Sequence, residues 1–374
     1  MRARLEYMRS MQFSAMTMNM YLPDYLEPAD DHRIIKMTVE QSVWLAELGY
    51  NVWFTDHHFK GPWNSNIMQF AAFVLPRIPR ERYIGFGVLS IPFYHPLRLV
   101  ESMNLLDHLS EGRALFGVGS GWQGTEPAGL GVDLEYHASG KAAEDTIDIM
   151  QRLWNFRDGD PEYTFSTGRY SGTVKRRVMP APYTMPHPTV IRTATREPAI
   201  VRAAQLGMPA FLGVLGADLR EQIRIYRAAL TEANHPPEVE ENCLRWCSVD
   251  WLSVCVAPTD EEAKARERVA HAEQMAMRQQ YIARFGRLDG PVMKPTAGQS
   301  TADAYAKGGD MKGSISGSPD TVAAKIQELV DLGINHMHLR FTGEWAGETR
   351  QTVKGSAELF AREVMPRFAP LAVV

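Results

Sequence analysis

Two adjacent histidines and a Thr-Ala-Thr-Arg turn hold the residue types in this chain best suited to chemistry. His57 and His58 follow the apolar run NVWFT at 51–55. Strand alternation points one ring toward whatever the strand faces and the other away. A free imidazole titrates near pH ~6.5, so the ring that faces a cavity can exchange protons close to neutrality. Thr193-Ala194-Thr195-Arg196 combines hydroxyls, a guanidinium and the open amides of a helix start, a set suited to an anion such as phosphate. The same residues equally make an ordinary capped helix start, with Thr195 as N-cap and Glu197 close behind. His336 and His338 share one strand face. Two ligands are too few for a metal site, so they read as core or pocket lining and no metal is expected.

A glycine-rich loop joins these groups. Residues 104–133, NLLDHLSEGRALFGVGSGWQGTEPAGLGVD, open as a helix with Leu105, Leu106 and Leu109 and break at Glu111-Gly112. A short strand follows (Ala114, Leu115, Phe116, Val118) and enters the glycines at 117, 119, 121, 124 and 129. Glycine lets backbone approach a flat or anionic ligand, since no Cβ intervenes. Gly119-Ser-Gly-Trp-Gln-Gly124 matches the dinucleotide fingerprint G-x-G-x-x-G. That motif has meaning only when a helix opens at its last glycine and an acid ends the next strand about 20 residues on. Pro127, Gly129 and Gly131 are expected to prevent a regular helix until about Ser139, and no strand ends at the required distance, so a Rossmann domain is set aside.

The elements that must position these residues alternate along the chain. Strands are expected at 11–19, 51–55, 83–90, 113–118, 189–192, 209–214, 249–256 and 336–341, with helical stripes between them. Residues 156–188 are rich in Gly, Pro, Tyr and Thr and read as an excursion with a hairpin around Thr167-Gly168. Residues 286–317 read as a second, polar and glycine-rich excursion, expected to fold over the site as a mobile lid. Eight strand–helix units make a single α/β domain over 1–374, a (β/α)₈ TIM barrel with excursions after strands four and seven. In such a barrel His57, Ser90, the Gly119–Gly124 loop and 193–197 all gather at the carboxyl ends of the strands.

Composition bounds the function. The chain has 374 residues, 45% hydrophobic and 22% charged, as expected of a globular protein with an ample core. A net charge of −4 and the lack of a Lys/Arg run argue against nucleic acid as a partner. No apolar stretch approaches 18 residues, so no membrane span is expected. The basic start MRARLEYMRS lacks a following signal core, and a cytoplasmic location is expected. Cys243, Cys247 and Cys255 read as buried free thiols in a reducing compartment.

The run ESMNLLDHLSEGRALFGVGSGW (101–122) resembles the bacterial luciferase-like monooxygenases, a superfamily of flavin- or deazaflavin-dependent (β/α)₈ oxidoreductases. So do Asp56-His57-His58-Phe59, His95-Pro96-Leu97-Arg98, and the segment from Gly317-Ser-Pro-Asp320 to Val364-Met-Pro366. The resemblance covers nearly the whole chain. It implies that His57 is the catalytic histidine beside the reactive edge of the flavin ring. It implies a non-proline cis peptide at Gly87-Val88 supporting the cofactor, with Ser90, Gly119, Ser120, Gly121 and Trp122 around it. Thr193, Thr195 and Arg196 would hold the phosphate, and Tyr136 and His137 match positions that contact flavin or substrate. One departure matters. The luciferase branch carries an arginine where this chain has Ser120, which shifts the phosphate charge to Arg196 or to another residue such as Arg192.

What the resemblance implies for activity is a two-component monooxygenase. Reduced FMN would come from a separate flavin reductase, and O2 would oxygenate a small organic substrate at a barrel working as a homodimer. One alternative is F420-dependent hydride transfer on the same fold, and another is a non-catalytic flavin-binding relative. Trp53, Phe59, Trp63, Phe93, Tyr94 and Trp122 are expected to line the mouth, which suggests an apolar or aromatic substrate such as an aldehyde, ketone or terpene.

Overall fold

The structure, a computed structural model, describes residues 11–17, 28–59, 65–121, 125–194, 196–213, 218–285 and 314–368. Its strands in chain order are β1 (Gln12–Met16), β2 (Asn51–Phe54), β3 (Ile84–Ser90), β4 (Ala114–Gly119), β5 (Tyr163–Ser166), β6 (Ser171–Val174), β7 (Thr189–Thr193), β8 (Ala210–Leu212), β9 (Ser248–Val256), β10 (Ser314–Gly317) and β11 (His336–Phe341). Eight of them, β1-β2-β3-β4-β7-β8-β9-β11, pair in parallel and close on themselves, with β11 returning to β1 and β8 joining β9. This is the expected (β/α)₈ barrel. β9 carries β11 along one edge; on the other, β8 pairs at Ser248–Val249 and β10 at Ser253–Val256, beyond the end of the short β8.

Helix stops follow glycine and left-handed residues as anticipated. The helix Pro96–Ser110 ends at Glu111 (φ 54) and Gly112 (φ +80). The hairpin expected near Thr167 is β5–β6, antiparallel, with the Thr167 amide donating to the Tyr170 carbonyl at 2.7 Å. Of the second excursion, residues 314–317 form β10; the lid expectation otherwise falls outside the described residues.

Two readings of the sequence need correction. Residues 125–138 are not free of helix: Thr125–Gly129 and Leu134–Ala138 are short helices. Pro127 sits in the first turn, where its missing N–H has no intrahelical acceptor to serve, and Asp133 caps the second helix through the Tyr136 amide. The closed ring still excludes a Rossmann sheet. Pro237–Trp246 is a helix the sequence reading passed over.

The barrel interior is filled by Met16, Trp53, Leu115, Ile191, Phe211 and Trp246. Trp53 lies flat on β3: a Cβ on Gly85 would meet its ring at 2.2 Å and one on Gly87 at 2.3 Å. These glycines make room for a core tryptophan. Trp53 therefore belongs to the packed interior, fully buried, and not to the mouth where the sequence placed it. His336 and His338 lie in the same interior, as core residues. His336 Nε2 is 2.7 Å from Ser14 Oγ, and His338 packs on Trp53 and Phe211 at 4.1 and 4.7 Å. The three cysteines are buried and unpaired, and burial pushes their thiols up to about 11, 12 and 11.

Candidate active site

β2 delivers Thr55, Asp56 and His57, all buried, to the carboxyl rim of the barrel. β3 brings Ser90 beside them, two residues after a Gly87–Val88 peptide that is cis. The Asp56 carboxylate joins the two strands, accepting the Ser90 amide and the Tyr94 hydroxyl, each at 3.0 Å. Burial pushes the Asp56 carboxyl up from 3.8 to about 7; the two hydrogen bonds oppose this, and the nearby Glu126 carboxylate adds to it.

Glu126 comes from the short helix Thr125–Gly129 and is fully buried. Its Oε1 is 3.1 Å from His57 Nδ1 and accepts the His58 amide at 2.9 Å. A carboxylate on Nδ1 fixes the tautomer and plane of an imidazole. His58 Nε2 lies 3.8 Å from Asp56 Oδ1; burial lowers the pKa of this ring and Glu126 pulls it back. Phe93 packs edge-on to His58 at 5.9 Å and face-to-face on His137 at 5.5 Å. Phe59, exposed, adopts φ 63 with its ring against Gly129.

The expected cofactor residues from β3, β4 and β7 converge on the same rim. Ser90 pairs in register with Gly119. A Cβ on Gly119 would meet Val88 Cγ2 at 2.8 Å and Thr193 Oγ1 at 3.2 Å, and the Thr193 hydroxyl donates to the Val118 carbonyl. Gly121 turns at φ +77, with Ser90 Oγ and the Phe93 ring close by. Ser120 lies half-buried between these glycines. Arg196 is exposed and is itself the N-cap of helix Glu197–Gln205, one residue later than the sequence suggested, with no side-chain cap. Trp63, Trp122 and Thr195 fall outside the described residues.

Arg192 does not face this rim. Alternation along β7 puts Ile191 and Thr193 inward, and Arg192 turns outward to pair with Glu144 on helix Lys141–Asn155. It is therefore not a spare charge for a phosphate. Tyr136 donates to Asp145 at 2.7 Å and packs on Gly168 at the hairpin turn, while its neighbour His137 reaches Phe93. Sequence reasoning missed Glu126 and, although it quoted the DHHF motif, gave Asp56 no role.

A tricyclic cofactor with an anionic tail fits these groups. Gly119 and Gly121 let Val88, Thr193, Ser90 and Phe93 close up on the backbone at this rim, Thr193 and Arg196 stand at a helix start, and His57 is held by Glu126 at the end of β2.

The high pKa of Asp56 has a testable consequence. A carboxyl whose folded pKa stands above its unfolded one stabilises the fold below pH ~4, and that contribution is lost as pH rises through about 7. Asp56→Asn is therefore expected to be the more stable protein at pH 8, by on the order of 2–4 kcal/mol, with the gap closing toward pH 4. Urea melts of both proteins across that range check it; a difference that does not grow with pH contradicts it. Glu344, also pushed up to about 7 by burial, acts alike in both proteins and cancels.

Among the described residues no helix is long and apolar enough to cross a membrane. A profile of the family described as luciferase-like monooxygenase matches residues 11–336. The chain is 28% identical to 4-hydroxyprotoasukamycin monooxygenase of Streptomyces nodosus subsp. asukaensis, over 88% of this chain and 86% of that protein. It is 26% identical to limonene 1,2-monooxygenase of Rhodococcus erythropolis, over 92% and 84%. Among solved structures, monooxygenase RslO1 from Streptomyces bottropensis superposes with a TM-score of 0.72 at 18% identity, over 96% of this chain and 100% of that one. The oxygenating constituent of 3,6-diketocamphane monooxygenase from Pseudomonas putida, in complex with FMN, gives 0.66 at 18%, over 96% and 98%. An F420-dependent secondary alcohol dehydrogenase, with an F420-acetone adduct, gives 0.64 at 15%, over 95% and 98%.

Proposed function

This chain belongs to the luciferase-like monooxygenase family, and on that footing we propose that it is a two-component monooxygenase. It takes reduced FMN from a separate flavin reductase and uses O2 to oxygenate a small organic substrate. The observation that carries this reading is the meeting of Val88, Ser90, Gly119, Gly121 and Thr193 with a buried, carboxylate-held His57 at one rim. The backbone of Gly87–Val88 and Gly119–Gly121 would hold the flavin ring, with Ser120 and Trp122 beside it and Tyr136 near the hairpin wall. Thr193, Thr195 and Arg196 would hold the phosphate at the start of helix Glu197–Gln205. Reduced FMN, when bound, supplies the electrons that activate O2.

The protein's own work is to orient, to exclude water and to move a proton. With Nδ1 held by Glu126, His57 exchanges protons with a bound molecule through Nε2. Phe93 and His137 close the pocket on one side, away from solvent.

Titration of the purified protein with FMN, reduced FMN and F420 tests the assignment. FMN or its reduced form is expected to bind, and Arg196→Ala to weaken it about 10- to 100-fold, as expected for a charge-assisted contact. Binding of F420 alone would move the chain to the hydride-transfer reading, which the F420-dependent neighbour of like fold supports.

The reading includes a homodimer, and an exposed apolar face supports it. Phe73, Leu105 and Leu109 are more than half exposed on two helices, Ile67–Val74 and Pro96–Ser110, that pack side by side. Leu105→Glu with Leu109→Glu is expected to halve the mass seen by light scattering. A mass equal to that of the unaltered protein refutes this face as the interface.

A further inference from the structure

Beside His57 lies a buried acceptor that the described residues leave unmet. Glu126 Oε1 serves His57 and His58, whereas Oε2, equally buried, has no donor among the described residues. Leaving a buried carboxylate oxygen without a donor is costly, so the position is one for an incoming O–H or N–H. Around it stand further unmet groups. Among the described residues His58 Nε2 has no hydrogen-bond donor or acceptor, its nearest acid being Asp56 at 3.8 Å, and the buried His137 ring has only the Gly121 backbone as a polar neighbour. Phe93 walls both imidazoles.

Resting on the monooxygenase reading, we propose that this cluster of polar groups marks the substrate subsite and that it selects alcohols or phenols over plain hydrocarbons. The substrate hydroxyl donates to Glu126 Oε2, and the His58 imidazole donates to the hydroxyl oxygen through Nε2. This narrows the apolar or aromatic substrate suggested by the aromatic composition of the mouth to one that carries a hydroxyl. A site built around an O–H rejects the analogue that lacks it more strongly than any apolar wall can, because rejection leaves the protein's own group unpaired.

The geometry also dictates how to invert the preference. In Glu126→Gln the amide oxygen must stay at the Oε1 position, since the His58 N–H needs an acceptor there. The amide nitrogen then occupies the Oε2 position and turns an acceptor into a donor. Fluorescence titration with 2-naphthol, 2-methylnaphthalene and 2-methoxynaphthalene, with and without saturating FMN, reads both effects. The unaltered protein is expected to bind 2-naphthol roughly 5- to 150-fold more tightly than 2-methylnaphthalene. Glu126→Gln is expected to bring that ratio within about threefold and to favour 2-methoxynaphthalene, with FMN affinity unchanged. Equal affinities of the unaltered protein for the first two probes overturn the proposal without any variant. So does a Glu126→Gln protein that keeps the naphthol preference and loses FMN, which would assign the free oxygen to a cofactor N–H. Failure of FMN to bind would overturn the monooxygenase reading instead, and the hydroxyl preference is read separately in the flavin-free arm.

Discussion

Replacing His57 by alanine is expected to lower kcat by about 10²- to 10⁴-fold, the range for loss of a positioned proton-transfer group. FMN affinity should stay within about threefold. The separation of the two effects follows from how the ring is held. His57 is buried with Nδ1 on Glu126, and the same carboxylate oxygen also takes the His58 amide. Removing the imidazole therefore leaves Glu126 anchored and the rim backbone in place. Of the groups assigned to the cofactor, Gly119 packs on Val88 and Thr193, and Gly121 on Ser90 and Phe93. Millimolar imidazole should restore part of the lost rate, since a freed ring can enter the space and serve the same proton. Stopped-flow turnover beside an FMN titration checks both halves. A kcat within tenfold of the parent protein would remove His57 from the chemistry, and a parallel loss of FMN affinity would make it a binding residue.

Much of the barrel was legible because each strand is an apolar run bounded by glycine, proline or charge, and helices stop at residues such as Gly49 and Glu111-Gly112. The helix Pro237–Trp246 was not, because His-Pro-Pro reads as a break, although proline at a first helical position starts helices as readily as it ends them. His57, Ser90, Gly119 and Thr193 could be gathered at one rim from strand order alone. Glu126 could not. Its bond to His57 spans 69 residues and exists only because a short helix after the glycine loop turns back over β2. No local periodicity encodes that return. Depth was equally hidden: alternation shows that Trp53 points inward but not that it lies on Gly85 and Gly87 beneath the mouth.

The glycines show where composition misleads, and Gly117 gives the largest stability effect we expect. The sequence reading grouped it with the ligand-seating glycines. Yet a Cβ there would stand 2.0 Å from the Phe86 carbonyl oxygen and 2.7 Å from the Phe211 ring. The cause is the register of the sheet. Phe86 pairs with Phe116 and Leu89 with Val118, so β3 sets Gly87 and Val88 against the single residue Gly117. Such a bulge presses backbone into its partner strand, and backbone cannot swing aside as a side chain can. Gly117→Ala must displace β3, and a loss of about 3 kcal/mol or more is expected. Gly131→Ala is the control. Its Cβ meets nothing within 4 Å, so only its φ of +70 opposes the change, at about 1–2 kcal/mol. Chemical denaturation of both variants ranks the two costs, and equal losses would refute the steric account. Because the displaced Phe86 carbonyl is bonded to Gly87 and the bulge continues into Val88, the folded fraction of Gly117→Ala should also bind FMN more weakly than Gly131→Ala does. A fold defect that left flavin affinity intact would separate the bulge from the cofactor cradle.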